Sequence, residues 1–262
     1  MRVVLPTPTY VFSDAHLGFA PVEVHDKVLS FLKHCRHAAK AVVINGDLFE
    51  FWFEWKTVIP RSSYRILAAL ADLRDAGIPV ILIAGNHDCW GGEVLTKDVG
   101  IDYRLEPWEG RVGAWTARFE HGDGLRPVED RGYRALRRIL RNGLAIRAFR
   151  WLHPDLASPL AGGSSHASRT YASRDRGKGL LDAAQRALTA RPRLELLVYG
   201  HSHVATLTRI SATQIYANPG SWLDRSTFLR ITETSVALRE WDGSAESADL
   251  DAFDRSSEKT LP

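Results

Sequence analysis

Cysteine is scarce in this chain: Cys35 and Cys89 are the only two among 262 residues. Two thiols build no disulfide framework, so a reducing compartment is the expected setting. Long apolar runs are missing as well. None approaches the roughly 18 consecutive apolar residues of a membrane-crossing helix. The stretch Met1 to Tyr10 contains prolines and no apolar signal core, which points to a cytoplasmic protein. No internal repeat is visible. Apolar residues as such are not lacking: 45% hydrophobic and 25% charged are ordinary globular values. The length supports one sizeable core, as one domain or a domain with an insertion. Residues 243–262 are rich in Ser, Asp and Glu and poor in apolar side chains, and are expected to form a mobile tail.

The net charge of +3 is unevenly spread. Residues 125–180 hold eleven Arg and one Lys against four acidic residues, a local balance of +8 that leaves −5 elsewhere. A basic island in an acidic body suggests an anionic partner, whether phosphate, nucleic acid or a membrane surface. On a helix over Tyr133–Arg141, Tyr133, Leu136 and Leu140 share one face, and Arg134, Arg137, Arg138 and Arg141 share another. A solvated face and a functional face are both open readings.

The order of elements alternates. Apolar runs at Tyr10–Ser13, Ala41–Asn45 and Val80–Ala84 predict strands covered on both faces. Helices are predicted around Glu23–His37 and Ser62–Ala76, the second ending at Gly77-Ile78-Pro79. After His121 the pattern turns helical, over Asp130–Leu152 with an interruption at Asn142-Gly143, and over Leu180–Ala190. Strands return at Leu194–Tyr199, Ala205–Ile210, Thr213–Ala217, Thr227–Thr232 and Ser235–Trp241. This predicts an α/β fold of two packed sheets with helices outside and a helical insertion between His121 and Gly200.

Five short motifs each follow an apolar run: Asp14-Ala15-His16, Gly46-Asp47, Gly85-Asn86-His87-Asp88, His121-Gly122-Asp123 and Gly200-His201-Ser202-His203. If the runs are neighbouring strands, seven candidate metal ligands gather on one rim: Asp14, His16, Asp47, Asn86, His121, His201 and His203. A strand-like backbone points residues i and i+2 the same way, so Asp14 and His16 are expected to chelate together. Imidazole, carboxylate and one carboxamide suit one or two transition metals. An Asp-x-His alone and a His-x-His alone are each weak; the ordered set of five is much stronger. Cys89 adjoins the third motif and reads as near the site or, more plainly, as a small packing residue.

The ordered motifs, spanning about Tyr10 to Trp222, resemble those of the calcineurin-like metallophosphoesterases. The resemblance implies a four-layer αββα sandwich of two mixed sheets flanked by helices. It implies two metal ions, one held by Asp14, His16, Asp47 and His203. The other would be held by Asp47, Asn86, His121 and His201, with Asp47 bridging. A hydroxide made on the metals would attack phosphorus. His87 would contact the phosphate or protonate the leaving group, with Asp88 orienting its ring; a hydrogen-bonding role behind the ligands is the alternative for His87. The turn Asn218-Pro219-Gly220-Ser221 also matches a turn of that family. Manganese is the expected metal, with Fe, Zn or Ni as alternatives.

Ser13-Asp14-Ala15-His16-Leu17-Gly18, the segment Gly46 to Trp52 and His121-Gly122-Asp123-Gly124-Leu125 further resemble the branch of that family that hydrolyses UDP-2,3-diacylglucosamine in lipid A synthesis. That resemblance implies a phosphoesterase domain over residues 1–242, interrupted by a helical lid at 125–190. It implies cleavage of a diphosphate to UMP and a lipid phosphate. Asn86, Asp130, Arg174 and Lys178 would contact the substrate. Trp52, Phe53 and Trp55 would line an apolar groove or serve as ordinary core. Peripheral contact with the cytoplasmic face of the inner membrane is implied, and nucleic acid is disfavoured as a partner. One position departs: that branch carries Arg where this chain has His87, the residue of the wider family. A substrate such as a dinucleotide polyphosphate, phosphoprotein or nucleic acid is the alternative, and a non-catalytic binding module the third reading.

Overall fold

The computed structural model describes residues 3–126, 130–157 and 175–255. The first strands are β1 (Val4–Leu5), β2 (Thr9–Phe12), β3 (Ala41–Ile44), β4 (Val80–Ile83), β5 (Asp102–Arg104), β6 (Trp108–Val112) and β7 (Trp115–Phe119). The later ones are β8 (Leu196–Val198), β9 (Thr206–Arg209), β10 (Ile215–Asn218), β11 (Thr227–Ile231), β12 (Ser235–Glu240) and β13 (Asp251–Asp254). Helices are α1 (Val22–Ala38), α2 (Tyr64–Asp75), α3 (Arg131–Leu140), α4 (Gly143–Phe149) and α5 (Lys178–Thr189).

The architecture is the expected four-layer sandwich. A seven-stranded sheet runs β13-β12-β11-β2-β3-β4-β5 and a six-stranded sheet runs β1-β6-β7-β8-β10-β9. Both are mixed: β2, β3, β4 and β5 are parallel, whereas β11 pairs antiparallel with β2. Alternate residues on each strand serve two cores. Val11, Val43 and Ile81 face Ala117, Leu196 and Ala217 between the sheets. Tyr10, Phe12, Val42 and Ile44 face outward, where Phe31 and Leu32 of α1 and Ile66 and Leu70 of α2 cover them. That double coverage is why these strands are apolar throughout.

Two boundaries differ from expectation. The lid predicted over 125–190 extends too far, because α5 belongs to the sandwich. Leu180, Ala184 and Leu188 of α5 are buried on Leu197, Tyr199 and Tyr216 of the six-stranded sheet. An amphipathic helix announces a buried face without naming its partner. The predicted tail is also too long. Residues 251–254 pair antiparallel with β12, and Glu246 accepts hydrogen bonds from Tyr10 Oη at 2.5 Å and Arg239 Nη1 at 2.8 Å. The polar composition there is that of an edge strand, which needs little apolar surface.

Among the described residues, the basic segment includes α3 and α4. Asn142 breaks them and caps α4, its side chain accepting from Leu144 N at 2.9 Å and Ala145 N at 3.3 Å.

Candidate metal centre

The carboxyl ends of five strands, parallel within each sheet, meet at one rim, the usual place for a site in α/β sheets. β2 delivers Asp14 and His16, β3 Asp47, β4 Asn86 and His87, β7 His121, and β8 His201 and His203. Asn45 ties the sheets together there, its Nδ2 donating to Glu120 O at 3.0 Å and Val198 O at 3.3 Å. No local pattern announces Asn45, because its partners lie 75 and 153 residues away.

The ligands do not sit on strand-like backbone. Asp14, His16, Asp47, His201 and His203 all have left-handed φ values, between +46° and +62°. Such residues cost about 1–3 kcal/mol each and persist only where surroundings enforce them. Here the two loops brace one another: Asp14 N donates to Gly46 O at 3.0 Å, and Ala15 N and His16 N donate to Asp47 O at 2.9 and 3.0 Å. The Asn218-Pro219-Gly220-Ser221 turn adds a second brace. Asn218 Nδ2 donates to Gly200 O at 2.7 Å, and Ser221 Oγ donates to Asp14 O at 3.0 Å. Close packing requires two of the glycines. A Cβ on Gly46 would lie 2.1 Å from His121 Nδ1, and one on Gly85 would lie 2.1 Å from Asp47 Oδ1.

The polar atoms form adjoining clusters that could hold metal ions: Asp14 with His16 and His203, Asp47 with His121 and His201, and His16 with Asp47 and His87. His16 Nε2 is 3.2 Å from His203 Nε2, and His203 Nε2 is 3.4 Å from Asp14 Oδ1. Asp47 Oδ2 is 3.1 Å from His121 Nε2 and 4.0 Å from His16 Nε2, which puts this one carboxylate between the clusters.

Proton accounting shows that the residues fit a cation. His16 Nδ1 faces Glu50 Oε2 at 2.9 Å, and His121 Nδ1 faces Asn45 O at 2.9 Å. Each neutral ring must place its one N–H there, leaving Nε2 as a lone pair aimed inward. Asn86 Oδ1 and His121 Nε2 are buried without a hydrogen-bond donor. Buried acceptors converging without donors are costly unless a cation satisfies them.

The electrostatics agree. Burial alone would raise the Asp47 carboxyl, but His121, His87 and His16 outweigh it and hold it well below the usual carboxylate range. Burial opposes charge on His121, yet Asp47 dominates and raises that ring well above 6.5. Burial, followed by the neighbouring His121, pushes His201 down to about 4, so it stays neutral and able to ligate.

Other expected residues find varied places. His87 Nδ1 bonds Glu50 O at 3.0 Å, and its Nε2 lies 3.9 Å from Asp47 Oδ2. Asp88 does not orient that ring. It accepts instead from Leu48 N at 2.8 Å and Gly85 N at 2.7 Å, pinning the third motif to the second. Burial and Asp47 raise its carboxyl to about 7. Glu50, within the Gly46 to Trp52 segment, is the residue behind His16, an arrangement that fixes ring orientation and basicity. Cys89 is packing: burial lifts its thiol to about 12.

Asp130 is a correction. Rather than open to a substrate, it is buried and engaged by Arg126, whose Nη2 donates at 2.8 Å and whose backbone N donates at 2.9 Å. Lys178 is exposed at the start of α5, and the preceding Gly177 lies close to Ser202 of the fifth motif and to Val204 just after it. Arg174 lies outside the described residues.

The insertion crosses from the fourth motif to the loops after the second and third. Tyr133 Oη donates to Asp123 Oδ2 at 2.5 Å at one end. At the other, Trp90 Nε1 donates to Leu140 O at 2.6 Å and Trp55 Nε1 to Leu152 O at 3.1 Å. Phe53, Trp55 and Trp90 pack around Phe149 of α4. Phe53 and Trp55 therefore dock the insertion, while Trp52 stacks on Phe49 in the sandwich core.

The signature of the calcineurin-like phosphoesterases matches residues 7–205. A protein of Porphyromonas gingivalis named UDP-2,3-diacylglucosamine hydrolase is 28% identical over 250 residues, covering 87% of this chain and 95% of its own. A Pseudomonas fluorescens protein of the same name is 28% identical over 243 residues, covering 88% and 94%. Among solved structures, a dimetal phosphatase from Danio rerio overlaps 95% of this chain and 98% of its own at 11% identity and a TM-score of 0.47.

Proposed function

This chain is a metal-dependent hydrolase of the calcineurin-like phosphoesterase family, and on that footing we propose that it cleaves the diphosphate of UDP-2,3-diacylglucosamine, or of a similar lipid-linked nucleotide, to UMP and a lipid phosphate. The observation that carries this reading is the pair of ligand clusters sharing Asp47 beside a docked, basic insertion. Asp14, His16, Asp47 and His203 would hold one divalent ion, and Asp47, Asn86, His121 and His201 would hold the other. Mn²⁺ suits this oxygen and imidazole set, as do Fe, Zn and Ni. When bound, the ions offset charge on the phosphoryl oxygens and acidify the attacking water.

The chain's own residues do the remainder. Asp47 spans both sites, and the neutral Asn86 limits the negative charge that would repel a phosphate. Glu50 fixes the His16 ring. Because Nδ1 of His87 is committed to the Glu50 carbonyl, its Nε2 is left to meet a phosphoryl or leaving-group oxygen.

The insertion offers both features a charged lipid needs. Ile139, Leu144 and Trp151 are exposed, Trp151 to 89%, and Arg131, Arg134, Arg138, Arg147 and Arg150 are exposed around them. Apolar surface flanked by cations suits an anionic bilayer, so the protein works peripherally on the cytoplasmic face of the inner membrane. Sedimentation with anionic vesicles checks that; recovery of all protein in the supernatant rules it out.

A second reading, another phosphoester substrate, is favoured by His87 standing where the lipid A branch carries Arg. Turnover of UDP-2,3-diacylglucosamine with added Mn²⁺, assayed as UMP, separates the two. UMP release supports the first. No UMP beside good hydrolysis of a dinucleotide polyphosphate or generic phosphodiester supports the second.

A further inference from the structure

Arg126 is only 3% exposed, yet the function above gives it no task. Its Nε and Nη2 donate to Asp130 Oδ1 at 3.1 and 2.8 Å, where the chain enters the insertion. Its Nη1 donates to Asp175 Oδ2 at 3.5 Å, where the chain leaves. Asp175 in turn accepts from Gly177 N at 2.9 Å and Gly179 N at 3.1 Å, which anchors the exit to the first turn of α5. The stem is packed as tightly as the head: a Cβ on Gly179 would lie 2.9 Å from Arg126 Cδ. On a further side Nη2 stands 3.5 Å from His201 Nε2.

One guanidinium therefore touches the entry and exit of the insertion and one of the proposed metal ligands. We propose that Arg126 is a positioning residue that sets the attitude of the insertion over the metal-ligand rim. This deepens the functional reading above and rests on it. A rigid planar fork with five donors holds three acceptors at fixed angles, whereas the ammonium of Lys is a rotatable point charge with three donors and a shorter reach. A buried guanidinium shared by two carboxylates is directional, whereas an apolar plug at the same place would fill the space without fixing an angle. Near Arg126, Tyr133 Oη and Arg137 Nη1 also donate to Asp123, whereas the far end of residues 130–157 docks through aromatic packing and two indole hydrogen bonds, which tolerate sliding.

The test uses the full chain loaded with Mn²⁺ and compares Arg126→Gln, Arg126→Lys and Asp175→Asn with wild type. In Arg126→Gln, amide exchange in α3 and α4 should quicken by about tenfold or more, while β2, β3 and β8 keep their wild-type protection. KM for UDP-2,3-diacylglucosamine should rise by about tenfold with kcat within about twofold, the mark of lost substrate placement rather than lost chemistry. Arg126→Lys should recover part of both effects, and Asp175→Asn should show a weaker form of them. Should Arg126→Gln fail to fold, Asp175→Asn carries the test by the same criteria. Unchanged exchange in α3 and α4, or exchange quickened uniformly across the sandwich, overturns the proposal. The exchange result does not depend on the substrate, so it stands even if UDP-2,3-diacylglucosamine is not turned over.

Discussion

Asp47 Oδ2 stands 3.1 Å from His121 Nε2, while His121 Nδ1 is turned to the carbonyl oxygen of Asn45 at 2.9 Å. Two acceptors therefore face each other unless a cation lies between them. Without metal, that cation is a proton, and this is what holds His121 above its ordinary 6.5. A raised folded-state value contributes stability below the unfolded pKa and loses it as pH rises through the folded one. Chelated protein should lose thermal stability as pH rises above about 6.5. Mn²⁺ at a hundredfold excess over its Kd should add about 2.7 kcal/mol, or about 5 °C or more in Tm, and flatten that slope. Melting curves with EDTA and with Mn²⁺ across this range are the check; curves that coincide count against a metal centre.

Removing the shared carboxylate should abolish turnover. Asp47→Asn keeps the shape of the side chain but surrenders the charge between the clusters, and kcat/KM should fall by ~10³ or more. Near wild-type turnover of any phosphoester by this variant sinks the shared-ligand mechanism.

Glu50→Gln isolates the support behind His16. The carboxylate at 2.9 Å from Nδ1 orients the ring and strengthens its lone pair. Mn²⁺ affinity or activity should drop by about 10–100-fold. Activity should recover at high Mn²⁺, because the ligands themselves remain. A loss that added metal cannot reverse assigns Glu50 a different part.

Much of this site was legible before any coordinates. Each ligand follows an apolar run, and parallel strands carry such residues to one rim. The left-handed turns at Asp14, His16, Asp47, His201 and His203 were not legible, because Asp and His favour positive φ more than other side chains but still adopt it too seldom to mark a position. Asn45 and Arg126 escaped notice for another reason. Both Asn45 partners, and the Asp175 and His201 partners of Arg126, are far along the chain, and a lone Asn or Arg carries no periodic signal. The fold followed the same division. Strands buried on both faces declared themselves through Val and Ile, whereas β5, β6 and β13 are short or polar and lie at or near sheet edges. α5 is legible as a helix, but its amphipathic face does not name the sheet it covers.

Gly85→Ala tests the closeness of the third motif to the second. The added methyl would meet Asp47 Oδ1 at 2.1 Å, and that oxygen cannot retreat without leaving the His87 N–H at 3.0 Å. Overpacking of this kind costs about 1–3 kcal/mol. A lower Tm together with weaker Mn²⁺ binding is expected. A variant with wild-type metal affinity contradicts the packing described.

Glu246 governs the acid limb through the C-terminal edge. Burial would raise its carboxyl, but Tyr10, His34 and Arg239 lower it below the ordinary 4.5. A depressed carboxylate stabilises above the unfolded value, and the contribution fades as pH falls through the folded one. Glu246→Gln should therefore be less stable than wild type at neutral pH, with the difference shrinking as pH falls below 4.5. Denaturant melts at several pH values decide this; a difference independent of pH refutes the assignment.

The most direct measurement is electron paramagnetic resonance of the chain titrated with Mn²⁺. Ligand clusters sharing Asp47 should bind two ions roughly 3.5–4 Å apart. The account predicts that the six-line signal of isolated Mn²⁺ gives way to an exchange-coupled spectrum as the second equivalent binds, and that Asp47→Asn abolishes the coupling. Saturation at one equivalent with an uncoupled spectrum would contradict it.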